Sequence, residues 1–159
     1  MDSVIRVAKP GDVDRIIPLW NEFLESQSDK VPFLRTDKDA EITASSSISR
    51  RIGDPDYQFF LAEEENELAG FLSCQIVEPT HLIQETGGYI TETIVKDTYQ
   101  RKGIGTQLFQ TAANWMYEKG ASFIQLRMAV NNLAVHTFCQ KEGFEPIFYQ
   151  MVYKRRPKK

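Results

Sequence analysis

Apolar residues recur along this chain with two alternating periods, and the switches between them mark out its elements. Val4-Ile5-Arg6-Val7 reads as a short strand, and Pro10-Gly11-Asp12 supplies a turn and a helix cap. Val13, Ile16, Ile17, Trp20, Phe23 and Leu24 then fall at spacings of three and four, which predicts a helix over about Val13 to Gln27. Pro18 lies near enough to its start to be tolerated or to bend it. An irregular polar stretch from Ser28 to Thr36 leads to a second, weaker amphipathic pattern over Asp39 to Ile52, carried by Ile42, Ile48 and Ile52.

Tyr57 to Glu63 and Leu68 to Val77 are rich in aromatic and β-branched residues around Glu65-Asn66-Glu67, the turn of a hairpin. Gly88 to Val95 reads as a further strand. Ile104, Leu108, Ala112, Trp115 and Met116 mark a helix ending near Gly120. Phe123 to Val130 alternates like a strand, Leu133 to Glu142 fits a short helix closed by Gly143, and Phe144 to Tyr153 returns to strand-like residues. The order βααββ followed by βαβαβ predicts an α/β chain with a mixed sheet and helices on its faces.

Composition narrows this picture. The 159 residues are 42% hydrophobic, enough for one domain with one substantial core. A single domain over residues 1–159 is expected. The apolar runs are short and Met1-Asp2-Ser3-Val4 lacks a signal-peptide pattern, so no membrane span is expected. Cys74 and Cys139 stand far apart, with only His81 and His136 to complete a metal set. Neither a disulfide framework nor a structural metal is expected, and a cytoplasmic location is the default reading. Net charge is −3, but Lys154, Arg155, Arg156, Lys158 and Lys159 form a basic tail over residues 154–159. Without it, fourteen basic residues face twenty-two acidic ones, a body that repels nucleic acid and attracts cations. The tail itself reads first as solvated terminus.

The chemistry concentrates where the strand ending Thr93-Ile94-Val95 passes through Lys96 to Tyr99 into Gln100-Arg101-Lys102-Gly103-Ile104-Gly105 and a helix. At a helix start several N–H groups lack partners and the dipole is positive, which suits an anion. Glycines at 103 and 105 let a diphosphate approach the backbone, and Arg101 and Lys102 add positive charge. A Walker A loop is excluded for want of Gly-Lys-Ser/Thr, and Leu108 stands where a Rossmann loop needs its third glycine. Taken alone, a plain turn explains the glycines as well.

Val95, four intervening residues and Gln100-Arg101-Lys102-Gly103-Ile104-Gly105 resemble the acetyl-coenzyme A signature of the GNAT superfamily of N-acetyltransferases, Gln/Arg-x-x-Gly-x-Gly/Ala. Asn132, followed by Val135, Phe138 and Gly143-Phe144, resembles the family's second signature, and Ile5-Arg6-Val7-Ala8 with Asp12 resembles its opening. The resemblance implies a GNAT-like acyl-CoA N-acyltransferase fold, a mostly antiparallel sheet flanked by helices with two splayed central strands. It also implies acetyl-CoA as co-substrate and acetyl transfer to an amine by direct attack. By the same resemblance, Ile94 and Val95 line the pantetheine arm, the Val95 amide stabilises the oxyanion, Gln100 to Thr106 bind the pyrophosphate mainly through the main chain, and Asn132 contacts the pantetheine. Family members often form dimers, so a homodimer is among the arrangements implied.

Direct attack needs a neutral amine, whereas alkylamines are mostly protonated near pH 7. Glu92, three residues before Val95 and on the strand face of Ile94, is the candidate base. A solvent-facing strand glutamate, or a carboxylate that only binds the cation, fits the same position. The family often places a phenol acid one residue after the aromatic of the short helix. Here that residue is Cys139, whose thiol, at about 8.5 when unperturbed, is the candidate acid; a small buried packing residue is the plainer reading. Tyr89 and Tyr99 are alternative phenols, and His136 reads as structural. The expected activity is therefore acetyl-CoA-dependent N-acetylation of a small-molecule or peptidyl amine. An acetyl-CoA-binding sensor or interaction module with little turnover is the alternative. The acidic body mildly favours polyamine, aminoglycoside or lysine-like acceptors, and acceptor choice is expected to lie in Ser28–Thr36, the second helix and Pro79–Gly87.

Overall fold

A computed structural model describes residues 3–31, 33–34 and 37–158. Pro32, Arg35 and Thr36 of the polar stretch therefore lie outside the described residues, as does Lys159 of the tail. The chain runs β1 (Val4–Val7), α1 (Val13–Ser28), α2 (Lys38–Ile52), β2 (Tyr57–Glu64), β3 (Glu67–Val77), β4 (Gly87–Val95), α3 (Ile104–Glu118), β5 (Phe123–Leu126) and α4 (Leu133–Glu142). The five strands form one sheet in sequence order, antiparallel except for the β4–β5 pair.

The sheet is buried on both faces, and strand alternation sorts the two cores. Phe59, Leu61 and Phe71 face α1 and α2, where Val13, Ile16, Ile17, Leu19 and Ile48 cover them. Phe60, Ala62, Leu72, Cys74 and Ile90 face α3, which answers with Ile104, Leu108, Ala112 and Met116. Burial of this many large side chains, each contributing roughly 1.5–3 kcal/mol, is what the two amphipathic stripes are for. α1 runs unbroken through Pro18, which sits in its second turn and removes only one intrahelical donor. α2 is capped by Asp37, whose Oδ1 accepts from Ala40 N at 2.9 Å. Asp39 and Glu41 in its first turn and Arg50 and Arg51 in its last complement the dipole. The β2–β3 hairpin closes at Glu65-Asn66, both with positive φ, the twist that a two-residue hairpin requires.

An ion-pair cluster ties β1 and β2 to the start of α1. Asp12, which is buried, accepts from Arg6 Nη1 and Nη2 at 2.8 Å each and from Lys9 N at 2.7 Å. Glu63 accepts from Arg6 Nε at 2.6 Å and Arg15 Nη1 at 3.1 Å. The Arg6 guanidinium, opposed by burial, holds the Asp12 carboxyl down at about 2.

Two expectations give way to the tertiary structure. β5 stops at Leu126 rather than Val130. Phe144 to Tyr153 forms no strand, and Phe148 and Tyr149 are 80% and 91% exposed. Strand-like residues form a strand only where a ladder and a packing surface receive them; among the described residues this segment has no ladder, and past Phe144, which packs on Phe109, its large side chains lie exposed. No helix among the described residues is long and apolar enough to cross a membrane.

Candidate active site

Two features of β4 build the site. The first is where its parallel partner ends. β4 pairs with β5 from Gly87–Phe123 to Ile90–Leu126, and β5 stops there while β4 runs on to Val95. The edge of β4 from Thr91 to Val95 that faces away from β3 thus has no strand partner among the described residues, as expected of a splayed pair. The second is a bulge. Ser73 pairs with Glu92 and Cys74 with Ile90, leaving Thr91 as an extra residue that switches the strand's faces. Ile90 packs into the α3 core, yet Ile94 packs into the α1–α2 core and Val95 into the α3 core. The bulge is what puts Glu92 on the α1–α2 side with Ile94. On the β3 side, Gly70 allows the close approach, since a Cβ there would meet the Ile94 carbonyl at 2.6 Å.

Beyond Val95 the chain turns through Asp97–Tyr99 into α3. Gly103 occupies the N-cap at φ 80°, in the left-handed region, so no side chain supplies the cap and no acid sits in the first turn. A Cβ at Gly103 would meet nothing within 4 Å, so it is the backbone conformation rather than crowding that favours glycine. Arg101 shares the positive φ at 64°, and its side chain is exposed. Such a start presents uncapped N–H groups to an anion. The side chains of the motif have other partners. Gln100 Nε2 ties the loop by donating to Val95 O and Asp97 Oδ1 at 3.1 Å each. Lys102 Nζ lies 3.6 Å from Glu64 and over the Tyr99 ring. Ile104 is buried in the α3 core, and Thr106 Oγ1 donates to Glu142 of α4 at 3.1 Å. What remains for a pyrophosphate is main chain together with the exposed Arg101 side chain, which fits a diphosphate-bearing group.

α4 packs beside this turn through Phe138, in edge contact with Phe109 and against Gly105. Asn132 caps α4, its Oδ1 accepting from Val135 N at 3.4 Å. His136 Nε2 contacts the Val130 carbonyl at 2.9 Å, a structural bond. Cys139 is 3% exposed, and burial pushes its thiol up. Tyr99 donates to Glu67 at 3.0 Å, and that bond to a carboxylate pushes its phenol up as well.

On the opposite side, Glu92 closes one end of a cleft of about 450 Å³ between α1 and α2. Trp20 and Leu24 of α1, with Leu34, form its apolar wall. α2 presents Asp39, Thr43, Ser47 and Arg51, a polar stripe at intervals of four, beside the small Ala40 and Ala44. Arg51 Nη1 and Nη2 reach the two Glu92 oxygens at 3.4 Å each, with both side chains 14% exposed. Ser73 Oγ makes a short hydrogen bond to Glu92 Oε2 and lies 2.6 Å from Thr91 Oγ1. The α2 stripe had a signal in the sequence, the spacing of four, but Ile42, Ile48 and Ile52 dominated the helical reading. The cleft falls in part of the region expected to choose the acceptor.

A family model described as the acetyltransferase (GNAT) family matches residues 17–144. The chain is 25% identical over 142 residues to the uncharacterized N-acetyltransferase YhfO of Bacillus subtilis, covering 89% of each chain. Across the curated relatives it matches, the aligned part spans from 38% to 89% of the relative's own length. A predicted acetyltransferase from Clostridium acetobutylicum, solved with acetyl-CoA, superposes with a TM-score of 0.78 at 17% identity, covering 96% of each chain. An aminoglycoside acetyltransferase from an uncultured soil sample, in complex with sisomicin, gives 0.72 at 19% identity and 97% coverage of each. These structural likenesses establish the fold.

Proposed function

Since the chain belongs to the GNAT acetyltransferase family, we propose that it transfers an acetyl group from acetyl-CoA to a primary amine of a small molecule or peptide, with the two sides of β4 dividing the work. The observation that carries this reading is the uncapped, left-handed start of α3 at Gly103, lying next along the chain to the unpaired edge of β4. A diphosphate would rest on the N–H groups of residues 103–106, and the free edge at Ile94 and Val95 would receive the pantetheine amides. The Val95 N–H would serve as the oxyanion donor. Bound acetyl-CoA supplies a thioester carbonyl to be attacked.

Glu92 is the group assigned to the amine. Its carboxylate lines the acceptor cleft and is held in place by Arg51 and Ser73, so an incoming amine displaces or shares the Arg51 contact as Glu92 takes its proton, directly or through water. Cys139 is the assigned acid for the leaving thiolate and the less supported of the two, because its burial raises the thiol. Asn132, which caps α4, would contact the pantetheine or its neighbourhood. The bisected site fits transfer between two ligands meeting at β4, whereas a binding-only module has no use for the second cleft.

Thermal melting with acetyl-CoA, CoA, NAD and ATP tests the cofactor assignment. Ligand at about a hundred times its dissociation constant adds about 2.7 kcal/mol. A shift of several degrees with the two CoA forms alone is expected; equal shifts with NAD or ATP, or none at all, would remove it.

A further inference from the structure

The acceptor cleft carries a feature that the family reading does not supply. Glu92 already holds a cation, Arg51, so its charge is balanced before any amine arrives. A polycationic acceptor would find the charge at this end of the cleft already paired, with Asp39 on the α2 wall as a further carboxylate for its other charges. The acidic body favours polyamines or aminoglycosides; the paired Glu92 end favours an acceptor that brings an anion of its own.

Arg51 is also poorly satisfied. Its two contacts to Glu92 are long, at 3.4 Å each, and its buried Nε has no hydrogen-bond partner among the described residues. A guanidinium offers five N–H donors in a fixed fork that matches a carboxylate. Here the Phe59 ring, 5.0 Å from the guanidinium carbon, supports the fork from one side, and the cleft contains the Arg51 side chain on its wall. The Nε is fully buried and out of a ligand's reach, so it is the two long Nη contacts that leave donor capacity for a ligand in the cleft.

Resting on the acetyltransferase reading, we propose that the acceptor is an amino acid or a close analogue, whose carboxylate is bound by Arg51 while its adjacent ammonium is bound by Glu92. An anion and a cation placed side by side on the protein are answered by a cation and an anion placed side by side on the ligand. The zwitterion exchanges with the internal pair, so both protein charges stay compensated on binding, which a plain amine cannot achieve. The side chain of such an acceptor lies along Trp20, Leu24 and Leu34, which selects an apolar one. In the reaction the α-ammonium gives up two protons: one passes through Glu92 to solvent to free the nitrogen lone pair, and the other, lost as the C–N bond forms and the C–S bond breaks, ends on the thiol released. Arg51 is thus a specificity residue in contact with the substrate.

The test pairs each amino acid with the amine that lacks only its carboxylate: L-phenylalanine with 2-phenylethylamine, and L-leucine with 3-methylbutylamine, each with acetyl-CoA and wild-type protein. The expected preference in kcat/KM for the amino acid is at least about thirtyfold, within the cost of leaving a charged partner unpaired. Arg51→Gln should bring the two within about threefold of each other, chiefly by raising KM for the amino acid. Arg51→Lys, which keeps the charge and loses the fork, should fall between. Should Arg51→Gln fail to fold, the wild-type ratio decides alone. Equal or better use of the plain amines would overturn the proposal, as would an unchanged preference in Arg51→Gln. If neither compound is acetylated while the melting shift with acetyl-CoA persists, this acceptor class is wrong and the cofactor assignment stands; if the shift is also missing, the underlying reading fails with it.

Discussion

The two sides of β4 are built from different materials. Toward α3 the site is mostly backbone: an uncapped helix start, a left-handed glycine and a strand edge without a partner among the described residues, with Gln100, Lys102 and Thr106 engaged elsewhere. Toward α2 it is side chain: a carboxylate, a guanidinium, a hydroxyl and an apolar wall. Backbone recognition depends on conformation and tolerates exchange of side chains, whereas side-chain recognition changes with a single residue. That is a physical reason for a scaffold to keep its cofactor while its acceptor varies.

This contrast can be broken at its strongest point first. Glu92→Gln removes the assigned base and should lower kcat by roughly 10²–10⁴-fold, the usual worth of general-base catalysis, with the loss shrinking as pH rises and more of the amine is already neutral. Steady-state rates across pH, with acetyl-CoA melting as the control for an intact cofactor side, check it. An unchanged kcat would end the assignment.

Asp12→Ala probes the frame beneath both sites. Removing a buried carboxylate that faces Arg6 should cost on the order of 3 kcal/mol, visible in urea unfolding. Because its folded pKa is lowered to about 2 from an ordinary 3.8, the stabilisation is complete above the unfolded value and disappears as pH falls from about 4 toward 2. The wild type should therefore lose stability across that window faster than the variant.

Gly103→Val forces a β-branched residue into the left-handed region and should weaken CoA binding by about tenfold or more, a strain of order 1–3 kcal/mol. Lys102→Ala, beside it, should change binding less than about threefold, because that lysine is an exposed partner of Glu64. Calorimetric titration of both variants compares conformation with charge directly. A larger loss for Lys102→Ala would invert the backbone reading. The smallest effect is expected of Cys139→Ala, a few-fold in kcat if the raised thiol contributes little as an acid. A hundredfold fall in a variant that melts normally would restore Cys139 to the centre of the chemistry.

Much of this was legible in the residues. The stripes of Val13 to Leu24 and Ile104 to Met116, the hairpin at Glu65-Asn66 and the Gly103 turn each follow from local periodicity or local backbone preference, and the structure places them within a residue or two of expectation. Glu92 was marked by its distance from Val95. Its surroundings were not, because they come from α2, forty-one positions away in the chain at Arg51.

The sequence by itself determined the local elements, the two-faced core and the anion-ready start of α3, since each is written in neighbouring residues and their spacing. Only the tertiary structure decided three things. It placed the bulge at Thr91, which sends Glu92 to the α2 side although Ile90 two residues earlier enters the α3 core. It brought the Asp39–Arg51 stripe over the end of β4, making the cleft we assign to the acceptor from an otherwise ordinary polar helix face. It also left Phe144 to Tyr153 without a ladder, although their strand character is as plain as that of β3. In each case the outcome depends on which distant partner is within reach, and a pairing between remote segments has no signature in the periodicity of either one.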